Sequence, residues 1–156
     1  GNAISVGTKY AIEHGKNWVI TMDGDLQHPP ELIPQFDDDG KLEIKLGWRK
    51  NRETMPLFRK LSNILTSLLL SIRSNTLIKD SQCGYRGFPA EIYLKCNNRE
   101  PGFHMESEFL IKACILGITI NHIEIPTIYN ESKSSMNYVP DLIKFISLWI
   151  KSFLWT

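Results

Sequence analysis

At 156 residues, with 42% hydrophobic and 22% charged side chains, the chain falls in the ordinary globular range and has material for one packed core. Eighteen basic against seventeen acidic residues leave a formal charge of +1, so bulk charge selects neither nucleic acid nor an acidic partner. The opening GNAISVGTKYAIEHG lacks the basic-then-apolar pattern of a secretory signal, and no run of about 18 uncharged apolar residues is present to span a bilayer.

Ala3, Ile4, Val6, Tyr10, Ala11 and Ile12 predict an amphipathic helix stopped at Gly15. Trp18 to Met22 is a short, partly β-branched apolar run, the pattern of a strand buried on both faces, and Asp23 and Asp25 follow it. Pro30 and Glu31 open a short helix through Phe36, and DDDGK reads as a polar turn. KLEIKLGWR alternates like a strand with Leu42, Ile44 and Leu46 on one face. Residues 57–73 predict a helix, with Leu57, Leu61, Ile64, Leu65, Leu68 and Ile72 at helical spacing and Arg59, Lys60 and Arg73 at its ends. MESEFLIKACILG predicts a helix ending at Gly117, and ITINHIEIP a strand stopped by Pro126. From about Tyr138 the chain reads as helix to its last residue. Strands alternating with helices predict an α/β domain with a mainly parallel sheet. A helix as first element and a last helix without a stop signal predict a chain cut from something longer. Cys83, Cys96 and Cys114 are odd in number and widely spaced, without a C-x-x-C pair, which fits a reduced, cytosolic compartment.

Two carboxylates one residue apart after a buried strand point to the carboxyl edge of the sheet, where open α/β folds bind ligands. Asp23 and Asp25 there can share a hard divalent cation, Mg²⁺ or Mn²⁺, that bridges the diphosphate of a nucleotide sugar. Gln27 offers a further neutral oxygen to the same ion. The plain alternative is a solvated acidic turn. His28 reads as an exposed loop histidine without a chemical role.

The string MDGDLQHPPELI closely resembles the D-x-D-L-Q-H-P-P motif of the polyprenyl-phosphate glycosyltransferases, the family 2 enzymes that include dolichyl-phosphate mannosyltransferase. GWR at 47–49 resembles that family's strand ending in a small residue and arginine. DSQCGYRGF at 80–88 resembles its D-[ST]-x-x-G-[FY]-[RK] segment, and GFHMESEFLIKACILG and IEIPTIYNESKSS are similar to two later stretches in the same order. The resemblance covers nearly the whole chain, but the family's opening strand and its D-D-G-S segment have no match. The family's arginine shortly before the E-S-K-S loop is also lacking.

The resemblance implies a Rossmann-like GT-A domain of nucleotide-diphospho-sugar transferases, incomplete at its N-terminus. Residues 1–137 would be its C-terminal two-thirds, and 138–156 an amphipathic juxtamembrane or interfacial helix. It implies an inverting transfer from a UDP- or GDP-sugar to a polyprenyl or dolichyl phosphate at the cytoplasmic face of a membrane, with no role for nucleic acid. Asp23, Asp25 and Gln27 would hold the metal. Arg49, Arg86, Arg59, Ser62 and Lys133, with Ser132 and Ser134, would hold phosphate or nucleotide sugar. A lipid phosphate is already largely ionised near neutral pH, given a second pKa of about 6, and needs no base. A sugar hydroxyl as acceptor needs one, and Asp80, Glu106 and Glu108 stay open for that role. Glu106 and Glu108 are two apart and cannot share a helix face. Helix 57–73 would lie in the bilayer interface or, equally, pack on the sheet, and Trp149, Trp155, Lys144 and Lys151 suit an interfacial helix. Two rival readings are an aspartyl-phosphate hydrolase, whose motif wants Thr or Val where Gln27 stands, and a non-catalytic membrane-surface fragment.

Overall fold

The structure, a computed structural model, describes residues 2–51, 55–102, 104–128 and 138–155. The chain runs through α1 (Asn2–Glu13), β1 (Trp18–Thr21), a 3₁₀ turn (Pro30–Leu32) that leads into α2 (Ile33–Phe36), β2 (Glu43–Arg49) and α3 (Leu57–Ser74). It continues through β3 (Arg86–Pro89), α4 (Ala90–Lys95), α5 (His104–Ile115), β4 (Thr119–Ile125) and α6 (Tyr138–Ser152). This is the expected α/β alternation, with one change that reshapes the sheet.

The four strands lie in the order β1-β3-β2-β4. β2 and β4 are parallel over seven residue pairs, from Glu43 opposite Thr119 to Arg49 opposite Ile125. β3 runs antiparallel to both β1 and β2, so the sheet is mixed rather than mainly parallel. The cause is a strand that sequence periodicity did not reveal: Arg86–Pro89 is only four residues, holds Gly87 and ends in Pro89, and enters between β1 and β2.

Burial follows strand position. β2 is central, and Glu43 and Lys45 are buried along with Ile44 and Leu46, so both faces are covered instead of one. The two polar residues have partners: Asn121 Nδ2 donates to Glu43 Oε1 at 2.9 Å, and Lys45 Nζ donates to the Asp37 carbonyl at 2.5 Å. Leu42, expected on the buried face, precedes the strand and is exposed. β1 is half-buried along its length, because it pairs on one side only among the described residues. The core gathers Phe36, Leu70, Tyr85, Phe88, Phe109 and Leu110 with Ile44 and Leu46.

α3 is turned opposite to what an amphipathic helix on a sheet requires. Its inward residues are Asn63, Thr66, Ser67 and Leu70, while Leu57, Leu61, Ile64, Leu65, Leu68 and Ile72 are each 40–71% exposed. The polar face is matched by hydroxyl pairing with the segment after the helix: Ser67 Oγ donates to Ser81 Oγ at 3.1 Å and accepts the Ser81 N–H at 2.9 Å. Ser71 Oγ likewise accepts the Ile78 N–H at 2.9 Å. The helix stops where Asn75 takes a left-handed conformation, φ 49°.

α6 packs on α3 and α5 through Phe145 and Leu148. The Trp149 indole donates to the Leu69 carbonyl at 2.7 Å, and Arg73 Nη2 donates to the Ser152 carbonyl at 2.5 Å. The helix ends at Ser152 in a turn rather than at the last residue. Trp149 and Trp155 pack against the core, so the outward apolar residues are instead Ile143, Ile146, Ile150, Phe153 and Leu154. Among the described residues no helix is long and apolar enough to cross a membrane, and all three cysteines are free thiols.

Candidate functional site

Strand direction brings the motif residues to one edge. Because β3 is antiparallel to both neighbours, the carboxyl ends of β1 and β2 flank the start of β3, with Arg86 opposite Thr21 on one side and Leu46 on the other. Asp23 and Asp25 continue from β1, Arg49 ends β2, and residues 80–85 cross the same edge before entering β3.

The acidic loop is held from beneath by two aromatic rings. His28 is 5% exposed, which corrects the expectation of an exposed histidine. Its ring stacks on Tyr85 with centroids 5.1 Å apart, and Tyr85 stacks on Phe36 at 4.0 Å. The Tyr85 hydroxyl donates to the Pro29 carbonyl at 3.1 Å, tying down the far end of the loop. The Asp23 N–H donates to His28 Nδ1 at 2.9 Å, so Nδ1 carries no proton and the tautomer is Nε2–H. The approach of His28 Nδ1 to Asp23 Oδ2 at 3.8 Å is therefore no ion pair. Burial lowers the His28 pKa, outweighing the raising effects of Asp23 and Asp25, and the ring stays neutral. On its other side Nε2 lies 3.9 Å from the buried thiol of Cys83, whose pKa burial pushes up to about 12.

The carboxylates themselves face outward. The Asp23 side chain is 57% exposed and rests on Gly84: a Cβ there would lie 2.6 and 2.7 Å from the two carboxylate oxygens. Asp25 accepts the Gln27 N–H at 3.1 Å, and between them Leu26 adopts φ 65°. A left-handed leucine is uncommon and costs backbone strain, a feature that concentrates at functional loops. Hard oxygens of two exposed carboxylates, with the Gln27 amide on the same loop, form a donor set that fits Mg²⁺ or Mn²⁺. Among the described residues no cluster of three or more acidic, histidine or cysteine side chains is assembled. A cation that takes one or two carboxylates and completes its shell with water and substrate phosphates needs no more.

Beside the acidic loop lies a buried ion pair. The Arg49 guanidinium grips Asp80 with two hydrogen bonds, Nε to Oδ2 at 2.7 Å and Nη2 to Oδ1 at 2.9 Å, and the Arg49 backbone N–H adds a longer one to Oδ2 at 3.3 Å. Asn63 Nδ2 on α3 adds another at 2.7 Å to Oδ1. Burial alone would lower the Arg49 pKa, but the bonds and charge of Asp80 outweigh it and the net shift is upward. Arg59 and Ser62 are half-buried and share the helix face of Asn63 and Thr66, the face turned to residues 80–82.

Arg86 is buried and shapes the crossing segment. It donates to the carbonyls of Cys83 at 2.8 Å and Ser81 at 3.0 Å, and its Nη2 meets Glu106 Oε2 at 2.9 Å. Glu106 keeps 22% of its side chain exposed at this edge. Glu108 is engaged elsewhere, accepting the N–H groups of Arg99 and Glu100 at 2.8 Å each and Lys112 Nζ at 2.6 Å. The two glutamates diverge, as their spacing requires. Asp80 and Glu108 are each held by three or more donors, and Glu106 is the carboxylate among the three base candidates that stays partly open. Lys133, Ser132 and Ser134 lie outside the described residues. Sequence reasoning missed Asn63 and Gly84 as determinants of the site. The polar stripe Asn63, Thr66, Ser67, Ser71 and Ser74, regular at helical spacing, was the available signal for Asn63.

No family model matches the chain. It is 31% identical to an uncharacterised protein of Methanocaldococcus jannaschii over 94% of this chain and 70% of that protein. It is 32% identical to the UDP-N-acetylglucosamine–dolichyl-phosphate N-acetylglucosaminyltransferase of Methanococcus voltae over 84% of this chain and 56% of that enzyme. With the dolichol-phosphate mannosyltransferase of Saccharomyces cerevisiae it shares 29% identity over 61% of this chain and 38% of that enzyme. The chain thus spans from about two fifths to just over two thirds of the length of these relatives. The named relatives are dolichyl-phosphate sugar transferases, and the chain belongs to the family of dolichyl- and polyprenyl-phosphate glycosyltransferases.

Proposed function

We propose that this chain supplies the diphosphate-holding and acceptor-facing part of an enzyme that moves a sugar from a nucleoside-diphosphate sugar to a polyprenyl phosphate. The observation that carries this reading is the convergence of Asp23, Asp25, the Arg49–Asp80 pair and the Arg86–Glu106 pair on one sheet edge. Asp23, Asp25 and Gln27 hold a Mg²⁺ or Mn²⁺ ion. When bound, that ion supplies positive charge to the diphosphate of the donor.

Arg49 and Arg86 contribute guanidinium groups that need no reorganisation, because each is already oriented by hydrogen bonds, with its charge balanced by Asp80 or Glu106. The transfer is a single displacement with inversion: an acceptor phosphate oxygen forms a bond to the anomeric carbon as the bond to the nucleoside diphosphate breaks. That oxygen is already ionised, so no side chain takes a proton. Arg59 and Ser62, on the inward face of α3, approach the acceptor phosphate.

The outward apolar stripe of α3, together with Ile143 and Ile150 of α6 and Phe153 just after it, lies against the membrane surface that carries such an acceptor. A saccharide hydroxyl as acceptor is the second reading, and the open carboxylate of Glu106 favours it as the only one of the three candidates placed to take a proton.

The test is sugar transfer by the full-length protein from a panel of UDP- and GDP-sugars to polyprenyl phosphate, with Mg²⁺ or Mn²⁺ and with chelator. Metal-dependent transfer that Asp25→Asn abolishes supports the reading. Transfer only to a saccharide hydroxyl, lost in Glu106→Gln, replaces it by the second.

A further inference from the structure

A cleft of about 640 Å³ opens between α3 and the carboxyl end of β2; it shares Arg49 with the candidate site, and Asp23, Asp25 and Arg86 do not line it. One wall is apolar: Ile64 and Leu68 from α3 and Leu77 from the segment after it, each 45–64% exposed. Ile64 and Leu68 also belong to the outward stripe of α3, so this wall continues that stripe without a break. Lys50, Lys60 and Lys79 line the cleft as well, Lys50 lying 3.4 Å from Glu124 Oε2, and among the described residues no acidic side chain lines it.

The chemistry of these walls selects a ligand class. The hydroxyls of Ser67 and Ser71, which face the cleft, are consumed by Ser81 and by the Ser67 and Ile78 backbone, leaving little to recognise a sugar. The ring of Trp48 is covered by the Lys79 ammonium, 4.3 Å from its centroid, which disfavours stacking of a nucleobase. The Arg49 guanidinium is turned away toward Asp80. What the cleft offers is ammonium charge beside hydrocarbon, the complement of an anionic head joined to an apolar body.

We propose that this cleft seats the headgroup of an anionic membrane phospholipid, with its acyl region along Leu68 and Leu77. Lys60 and Lys79 meet the phosphate. The site rests on the membrane contact of α3 proposed above, and it is separate from the acceptor phosphate, which sits with Arg59 and Ser62 on the inward face of the helix. Its occupation fixes the depth and rotation of α3 at the membrane, and through Asn63 and Asp80 the seat of Arg49.

The test measures partition of the full-length protein onto phosphatidylcholine vesicles with and without phosphatidylglycerol. One lysine at an anionic surface contributes about fivefold, so Lys60→Gln with Lys79→Gln is expected to lower binding to phosphatidylglycerol vesicles by about 25-fold. Binding to pure phosphatidylcholine should stay unchanged. Lys144→Gln with Lys151→Gln removes the same charge from α6 and should lower it far less. An equal loss from both pairs means diffuse attraction and overturns the site. If polyprenyl phosphate in phosphatidylcholine vesicles restores the lysine-dependent gain, the cleft takes the acceptor and the proposal also falls. Absence of wild-type binding to any vesicle overturns it together with the membrane contact. Sugar transfer assayed in detergent, where no phospholipid is present, tests the enzymatic reading separately.

Discussion

Arg49 and Asp80, 31 residues apart in sequence, close on one another in a two-point ion pair with bonds of 2.7 and 2.9 Å, Asp80 being fully buried. Removing one partner leaves an uncompensated buried charge, a loss of about 3–5 kcal/mol, whereas replacing both with apolar residues is often neutral or stabilising. Asp80→Ala should therefore lower the urea midpoint sharply. Arg49→Met with Asp80→Leu should recover most of that stability while sugar transfer stays lost. Recovery of transfer in the double variant would show that the pair serves only to hold the fold.

Gly84 is the floor under Asp23. Alanine there places a methyl carbon within 2.7 Å of both carboxylate oxygens, so the acidic side chain must swing aside. Gly84→Ala is expected to weaken Mn²⁺-dependent binding of a nucleotide sugar by about 10–100-fold, as loss of an outer-shell contact does, with a stability change of about 1 kcal/mol or less. Titration calorimetry beside a urea curve separates the two effects.

His122 accepts the Lys79 N–H through Nε2 at 3.2 Å, and burial, followed by the charge of Lys79, pushes its pKa down to about 4. Between that value and the unfolded value of about 6.5 the unfolded state binds more protons than the folded one, so stability falls as pH drops through this window. His28, also lowered by burial, acts in the same direction. Comparing urea midpoints at pH 7 and pH 5 should show a loss in the wild type that His122→Gln reduces. An unchanged difference would place the proton uptake elsewhere.

The outward stripe of α3 separates folding from surface contact. Leu61 and Leu68 are 56% and 55% exposed, whereas Leu70, on the inward side, is fully buried. Leu61→Gln with Leu68→Gln should change stability by about 0.5 kcal/mol or less per site and reduce vesicle binding. Leu70→Ala should cost about 2–5 kcal/mol by opening a cavity. A large stability loss in the Gln pair would mean that the stripe is covered within the protein.

How far the sequence could be read follows from how local each signal is. α3, α5 and β4 stand close to their expected bounds because periodicity and stop signals lie within each segment. The acidic pair was legible because strand and motif adjoin. β3 was not: four residues that include Gly87 and Pro89 carry no period, and its antiparallel entry was what made the sheet mixed. The orientation of α3 was hidden because both stripes are regular, and only the partners at Ser81 and Asp80 decide which faces inward. His28 was misjudged because the ring that buries it, Tyr85, lies 57 residues downstream.

The most direct test of the central claim is binding of a nucleoside-diphosphate sugar to the full-length protein, by calorimetry, with and without Mn²⁺, in wild type and Asp25→Asn. Binding that requires the ion and weakens by at least about tenfold in Asp25→Asn is the expected result, the size of effect that loss of one charged ligand produces. Binding of equal strength without the ion, or undiminished in Asp25→Asn, would contradict the assignment of Asp23 and Asp25 as the seat of a metal-held diphosphate.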